Sequence, residues 1–247
     1  MPLEDYAVDT FVDGGKERRV YRRGTGPAVI VIAENPGITP EVVAFGDRVV
    51  DSGCTAVLPH LFGEPGAPPT LARYASIATW ACVSREFTIF ATRQTSPVTE
   101  WLRALGRHEH QRCGGPGIGV VGMCLTGGFA LAMMVDETVL APVLSQPALP
   151  MPVSRSRRRD LGISDADLAR VRERAAAGVT VLGLRFTCDR LVPAERFERL
   201  REELGDAFVG VEIDSSPGNA HGISRWSHSV LTEHLVDEPG HPTRDAL

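Results

Sequence analysis

Cys124 occupies a position in this sequence where a nucleophile can be expected. An apolar, largely β-branched run at residues 118–121 precedes it, and a run of small and apolar residues without proline follows it at residues 125–134. This pattern predicts a buried strand that reverses directly into a buried helix, with Gly122 permitting the tight turn. Such a turn is a nucleophile elbow, and N–H groups at the helix end favour a thiolate. The alternative is a small core residue, because free cysteines are commonly buried.

A cysteine nucleophile needs a base, and the base needs a third group to orient it. Asp189 follows an apolar run at residues 179–186, and His221 follows another at residues 208–213. Nucleophile, acid and histidine in this chain order are typical of the α/β-hydrolase architecture. His221 would exchange a proton with Cys124, while Asp189 would fix the histidine tautomer. Taken singly, Asp189 could instead cap a helix and His221 could be an ordinary loop residue.

The elements that must position these residues alternate along the chain. Asp13-Gly14-Gly15 between two extended runs predicts an antiparallel hairpin at the N-terminus. Further strands are predicted at residues 28–33, 55–58, 138–144, 179–186 and 208–213, and helices at residues 40–51, 96–106, 164–177, 193–204 and 225–235, with residues 71–93 partly helical. This alternation predicts a single α/β domain with a mostly parallel sheet covered by helices on both faces.

Four residues of chemical interest come directly after predicted strands. They are Glu34, Cys124, Asp189 and His221. Because ligands bind at the C-terminal ends of parallel strands, these side chains are expected to meet at one edge of the sheet.

Composition excludes several classes of function. The net charge of −5 gives no indication of a nucleic-acid partner, and no stretch approaches the length of an apolar membrane span. Five cysteines without a CxxC pair disfavour a disulfide framework or a metal site and favour a cytoplasmic location, as does the absence of a signal-peptide pattern. The basic run at residues 155–159 lies beside acidic residues and predicts a solvated loop.

Over roughly residues 28–235 the chain resembles the dienelactone hydrolase family of α/β hydrolases. The resemblance is carried by residues 31–34 (VIAE), 122–125 (GMCL), 188–193 (CDRLVP) and 221–222 (HG). It implies a cysteine nucleophile at Cys124, paired with Asp189 and His221. It also implies that Glu34 contacts the resting thiol and takes up its proton when substrate binds.

The resemblance further implies two arginines that bind a substrate carboxylate. One stands a helical turn after the histidine, which falls on Arg225, and the other falls on Arg85. Elbow geometry independently predicts an oxyanion hole formed by the backbone N–H groups of Leu125 and Asn35. Thr126 departs from the family pattern, which usually has glycine at this place.

Together these features predict a cofactor-independent hydrolase of a small ester or lactone, of carboxymethylenebutenolidase type, acting through an acyl-enzyme. Three alternatives stay open: a broader carboxylesterase or thioesterase with the same triad, a non-catalytic ligand-binding protein of this fold, and a redox-sensing cysteine. Residues 151–178 are expected to form an inserted loop and helix near the active-site rim, and residues 237–247 a flexible tail. The sequence leaves the oligomeric state open.

Overall fold

A computed structural model of the chain describes residues 2–83 and 96–247. Within these residues, eight strands form one sheet in the order β1-β2-β4-β3-β5-β6-β7-β8. The strands are β1 (Ala7–Asp13), β2 (Lys16–Arg23), β3 (Ala28–Ile32), β4 (Thr55–Pro59), β5 (Ile118–Met123), β6 (Val139–Ser145), β7 (Val181–Phe186) and β8 (Phe208–Ile213). β1 and β2 form the predicted antiparallel hairpin, and β2 pairs antiparallel with β4. The strands β3, β4, β5, β6, β7 and β8 all run parallel to one another.

Helices connect the strands and cover both faces of the sheet. Those in the described residues are α1 (Pro40–Asp51), α2 (Leu71–Val83), α3 (Pro97–Cys113), α4 (Gly127–Met133), α5 (Arg155–Arg158), α6 (Asp165–Ala176), α7 (Ala194–Leu204) and α8 (Pro242–Asp245). Thr39, Ser96 and Ser164 cap α1, α3 and α6 by accepting a backbone N–H in the first turn, as helix N-caps do. None of these helices combines the length and apolar character that crossing a membrane requires.

Two apolar cores lie on opposite faces of the sheet. One packs α3, α4, α6 and α7 against the strands. The other packs α1 and part of the C-terminal segment, including Val230 and Leu231, against the opposite face. The segment at residues 151–178 adds α5 and α6, and its basic run forms ion pairs with acids of α7, such as Arg158 with Glu195.

Two helix predictions need correction. α3 continues to Cys113 rather than ending at residue 106, because its polar second half buries Glu109, which pairs with Arg22 of β2 at 2.6 Å. The helix predicted at residues 225–235 is absent, and the described chain runs there through irregular turns. Its serine and threonine side chains bond to other parts of the molecule, and such bonds compete with helix formation. The last segment, expected to be a flexible tail, includes α8 and buries Thr243.

Candidate active site

Cys124 stands at a strained turn between β5 and α4. It is 7% exposed and has a positive φ of 52°, a backbone conformation that is uncommon outside glycine. Gly122 fits because a Cβ there would lie 2.4 Å from the Thr126 carbonyl oxygen, and Gly127 fits because a Cβ would meet Pro147 at 2.6 Å. The structure therefore has the elbow geometry that the sequence predicted around Cys124.

Thr126 replaces glycine without disturbing this turn. Its side chain is fully buried, and its hydroxyl accepts a hydrogen bond from the Met123 N–H at 3.0 Å. The same hydroxyl donates to the Ile32 carbonyl oxygen at 2.8 Å. Thr126 thus connects the end of β3 to the elbow, and β3 is the strand that leads into Glu34.

His228 is the histidine that lies beside Asp189. Its Nδ1 is 2.6 Å from Asp189 Oδ2, and Asp189 Oδ1 accepts the Leu191 N–H at 2.9 Å. Burial alone would lower the pKa of His228, but the neighbouring Cys124 charge and the interactions with Asp189 and Cys124 outweigh it, so the pKa is raised well above 6.5. This balance favours the protonated imidazolium form of His228 beside the Cys124 sulfur.

His221, the histidine named from the sequence, lies elsewhere. It is exposed, its backbone N–H donates to Asn219 Oδ1, and its ring packs edge-on against His241 at 5.3 Å. The loop after β8 passes through His221 before it returns to the sheet edge. The histidine that reaches Asp189 is therefore His228, seven residues after His221. The stretch also holds His234 and His241, and no local pattern distinguishes His228 among them.

Glu34 joins three separate parts of the chain at this edge. Its carboxylate is buried, with Oε2 accepting from Ser229 Oγ at 2.6 Å and from Gln146 Nε2 at 3.1 Å, while Oε1 accepts from Thr232 Oγ1. A Glu34 oxygen, the Cys124 sulfur and a His228 ring nitrogen all lie within 4.8 Å of one another. Of the four residues expected to converge, Glu34, Cys124 and Asp189 do so, and His228 takes the place assigned to His221.

The loop after β6 is held against the elbow by Arg196. The guanidinium of Arg196 is buried and donates to the carbonyl oxygens of Pro147, Pro150, Arg157 and Asp160. Burial lowers the Arg196 pKa to about 10, so the group stays protonated at neutral pH. In the same loop the backbone N–H of Ala148 donates to the Cys124 carbonyl oxygen at 2.9 Å. Sequence reasoning did not identify Arg196.

The predicted oxyanion donors, Leu125 and Asn35, are sequence neighbours of Cys124 and Glu34. These two residues, with His228 and Asp189, form the cluster at the sheet edge. Leu125 follows Cys124 in the short 3-10 segment Cys124–Thr126, where first-turn N–H groups lack a partner within the helix. Asn35 follows Glu34, and its side-chain amide donates to the Tyr74 carbonyl oxygen at 3.1 Å.

The two predicted substrate-binding arginines are not brought to the cluster by any described contact. Arg225 is exposed, and its guanidinium stacks on Trp226 at 5.3 Å, with Arg190 also near that ring. Arg225 was predicted because it lies one helical turn after His221. The residue at the same spacing after His228 is Thr232. Arg85 lies outside the described residues.

The strand order, the elbow and the loops at the C-terminal sheet edge define an α/β hydrolase. The chain belongs to the dienelactone hydrolase family, whose family model matches residues 19–234. This membership supports a hydrolase function for the chain, and hydrolases of the family act on small ester substrates. A search of curated proteins gave no match.

Solved structures with the same fold include three that cover nearly the whole chain. A Klebsiella pneumoniae protein solved as a proposed dienelactone hydrolase is 16% identical, with a TM-score of 0.65 over 98% of this chain and 94% of its own. Dienelactone hydrolase from Anabaena variabilis is 18% identical, with a TM-score of 0.59 over 98% and 93%. A dienelactone hydrolase-like promiscuous phosphotriesterase from metagenomic libraries is 16% identical, with a TM-score of 0.58 over 91% and 90%. At these identities the likeness concerns the fold.

Proposed function

We propose that this chain hydrolyses a small ester or lactone through Cys124, His228 and Asp189, with an acyl-enzyme on the cysteine. The observation that carries the proposal is the hydrogen bond between the buried Asp189 and the largely buried His228, beside a cysteine at a strained elbow. Nδ1 of His228 is bonded to Asp189, so Nε2 is the nitrogen left to face the sulfur. A nucleophile, a base and an orienting acid are the parts that acyl transfer requires.

In the first half-reaction the Cys124 thiolate attacks the ester carbonyl carbon, and the carbonyl electron pair moves onto oxygen. The backbone N–H groups of Leu125 and Asn35 are the proposed donors to that oxyanion, a contribution typically worth several kcal/mol of barrier. When the tetrahedral intermediate collapses, the imidazolium of His228 gives its proton to the leaving alkoxide. The products are a thioester on Cys124 and a free alcohol, or an opened ring if the substrate is a lactone.

In the second half-reaction water attacks the thioester while neutral His228 takes one of the water protons. Collapse of this intermediate breaks the bond between carbon and sulfur, releases the carboxylic acid and restores the thiolate beside the imidazolium. Asp189 keeps Nδ1 protonated throughout, so that Nε2 can accept and return the proton.

We assign Glu34 mainly to positioning. The resemblance implies that it takes up the thiol proton, and an ionised carboxylate offers about four acceptor sites. Three of these already accept hydrogen bonds from Gln146, Ser229 and Thr232. Ser229 directly follows His228, so these bonds hold the histidine loop at the sheet edge. In this chain the raised pKa of His228 favours that residue as the carrier of the thiol proton.

We further propose that the preferred acyl group is uncharged. In the family pattern an arginine one turn after the histidine binds a carboxylate, but Thr232 holds that place and its hydroxyl donates to Glu34. We expect Arg225→Ala to leave turnover of a neutral ester within about threefold of wild type, because the side chain is exposed. A neutral butyrate ester compared with a hemisuccinate ester measures this preference. A strong preference for the hemisuccinate that Arg225→Ala abolishes would restore the carboxylate-binding assignment.

The test of the main proposal is acid-quenched intact-protein mass after brief mixing with p-nitrophenyl butyrate. Wild type should show one transient butyryl adduct, and Cys124→Ala should show none. His228→Asn should slow p-nitrophenol release by about 10³-fold or more, while the matched variant His221→Asn should behave as wild type. Absence of adduct and product with wild type would favour the ligand-binding alternative, and a loss confined to His221→Asn would refute the assignment of His228.

A further inference from the structure

The catalytic cluster also presents a set of ligand atoms suited to a metal ion. A Glu34 carboxylate oxygen, the Cys124 sulfur and a ring nitrogen of His228 lie within 4.8 Å of one another. His228 Nε2 is buried and, apart from the Cys124 sulfur, has no partner among the described residues. Thiolate, imidazole and carboxylate are the donors that zinc takes in proteins, with ligand distances near 2.0–2.3 Å, so a closure of about 1 Å would bring the three atoms around one ion.

The charge of the cluster independently points to a cation. Glu34 is 5% exposed, and none of its described contacts is with a basic side chain, since Gln146, Ser229 and Thr232 are neutral. Asp189 is a second buried carboxylate, with Oδ2 at 2.6 Å from His228 Nδ1. Asp189 is paired with His228 and lies close enough to the buried Arg196 guanidinium to interact with its charge, whereas the described hydrogen bonds of Glu34 include no cation. Buried charges are costly unless they are paired or coordinate a metal.

The surroundings of the three ligands resemble the outer shell of a zinc site. Metal-binding histidines usually donate their second ring nitrogen to a carboxylate, as His228 Nδ1 does to Asp189. The carboxylate of Glu34 is likewise oriented by hydrogen bonds from Ser229 and Gln146. These contacts fix the tautomer of the histidine and the direction of the glutamate before any ion binds.

We propose that Glu34, Cys124 and His228 form a zinc-binding site whose occupation reversibly blocks the hydrolase. The ion binds the cysteine sulfur, His228 Nε2 and one Glu34 oxygen, with a water molecule as the fourth ligand. The proton carried by His228 leaves to solvent, because a metal-bound imidazole nitrogen must be deprotonated. The sulfur lone pair is then engaged by the metal and cannot attack a carbonyl carbon. The inhibition rests on the proposed function, whereas zinc binding does not.

Binding is tested first, by titrating the chelator-stripped full chain with Zn²⁺ alone in competition with a chromophoric chelator. We expect one equivalent to bind, and Cys124→Ser, His228→Asn and Glu34→Gln each to lower the affinity tenfold or more. The matched controls Cys188→Ser and His221→Asn should leave it unchanged. Co²⁺ in place of Zn²⁺ should give an intense near-ultraviolet sulfur-to-metal absorption that Cys124→Ser removes. A dissociation constant weaker than about 1 mM, or cobalt absorption that persists in Cys124→Ser, would overturn the site.

Outer-shell support and inhibition form the second part of the test. Asp189→Asn should lower zinc affinity about 10–100-fold although it removes no ligand. Zinc at the dissociation constant measured by titration should halve the rate of p-nitrophenyl butyrate hydrolysis, and a chelator should restore it. Full activity of the zinc-loaded chain, or activation by zinc, would overturn the inhibitory role. Because the titration needs no turnover, zinc binding by a chain that fails to hydrolyse esters would refute the proposed function alone.

Discussion

Replacing Thr126 by valine tests how the elbow is held in place. Valine has nearly the same shape as threonine but lacks the hydroxyl that accepts from the Met123 N–H and donates to the Ile32 carbonyl oxygen. Both groups are buried, and leaving a buried polar group unpaired costs about 1–3 kcal/mol. Two such groups would together cost up to about 6 kcal/mol. The Ile32 carbonyl belongs to β3 and can accept another hydrogen bond within the sheet, so its loss should be partial. We therefore expect Thr126→Val to lower the free energy of unfolding by about 2–4 kcal/mol.

Thr126→Ser is the matched control. It keeps the hydroxyl and removes one buried methyl group, which is worth about 1 kcal/mol. Urea denaturation followed by circular dichroism measures both variants, and peptide-resolved alkylation of Cys124 by iodoacetamide reports on the elbow. Thr126→Val should also change the Cys124 alkylation rate, because the tie between β3 and the elbow is lost.

Two results would refute this explanation. Wild-type stability in Thr126→Val would mean that the two hydrogen bonds contribute nothing net. A larger loss in Thr126→Ser, which keeps the hydroxyl, than in Thr126→Val, which keeps the methyl group, would mean that the methyl group, rather than the hydroxyl, fills the essential role. In either case the hydroxyl would not be the reason why the elbow accommodates threonine in place of glycine.

Further predictions concern the histidine and the loop after β6. Since the pKa of His228 is raised, its imidazolium should persist as the pH rises past 6.5 and be lost only well above it, so the acylation rate should fall on the alkaline side there. Asp189→Asn should move this alkaline limb to lower pH and slow acylation by about 10³-fold or more; a stopped-flow pH profile with an unmoved limb would contradict the assignment. Arg196→Met should lower the free energy of unfolding by about 3 kcal/mol or more, because four carbonyl groups lose their donor. Arg196→Lys, which keeps a charged donor, should lose less in the same denaturation assay, and equal stability of Arg196→Met and wild type would count against the proposed clamp.

Features set by short-range signals could be predicted from the sequence. Asp13-Gly14-Gly15 determines the hairpin, Ser96 and Ser164 begin their helices as capping residues, and the glycine before the elbow follows from backbone crowding alone. Each of these depends on a few neighbouring residues. The mostly parallel sheet with helices on both faces then follows from the alternation of strands and helices.

The position of the histidine could not be predicted in this way. The segment that carries His228 has no regular secondary structure, and its path is set by bonds from Ser229 and Thr232 to Glu34, almost two hundred residues earlier. Periodicity does not report such contacts, and the segment was therefore predicted to be a helix. The role of Thr126 was hidden for the same reason, because its partner Ile32 is distant in sequence.

The hydrogen bonds to Glu34 have a consequence for the order in which parts of the protein fold. Their sequence separations are 112 residues to Gln146, 195 to Ser229 and 198 to Thr232. Contacts across so much chain close late, because the entropy of the intervening loop must be overcome before they form. During synthesis the strands and the elbow can therefore assemble while Cys124 still lacks its histidine. The thiol gains its base only when residues 228–232 dock, so the reactive form should coincide with the last folding step.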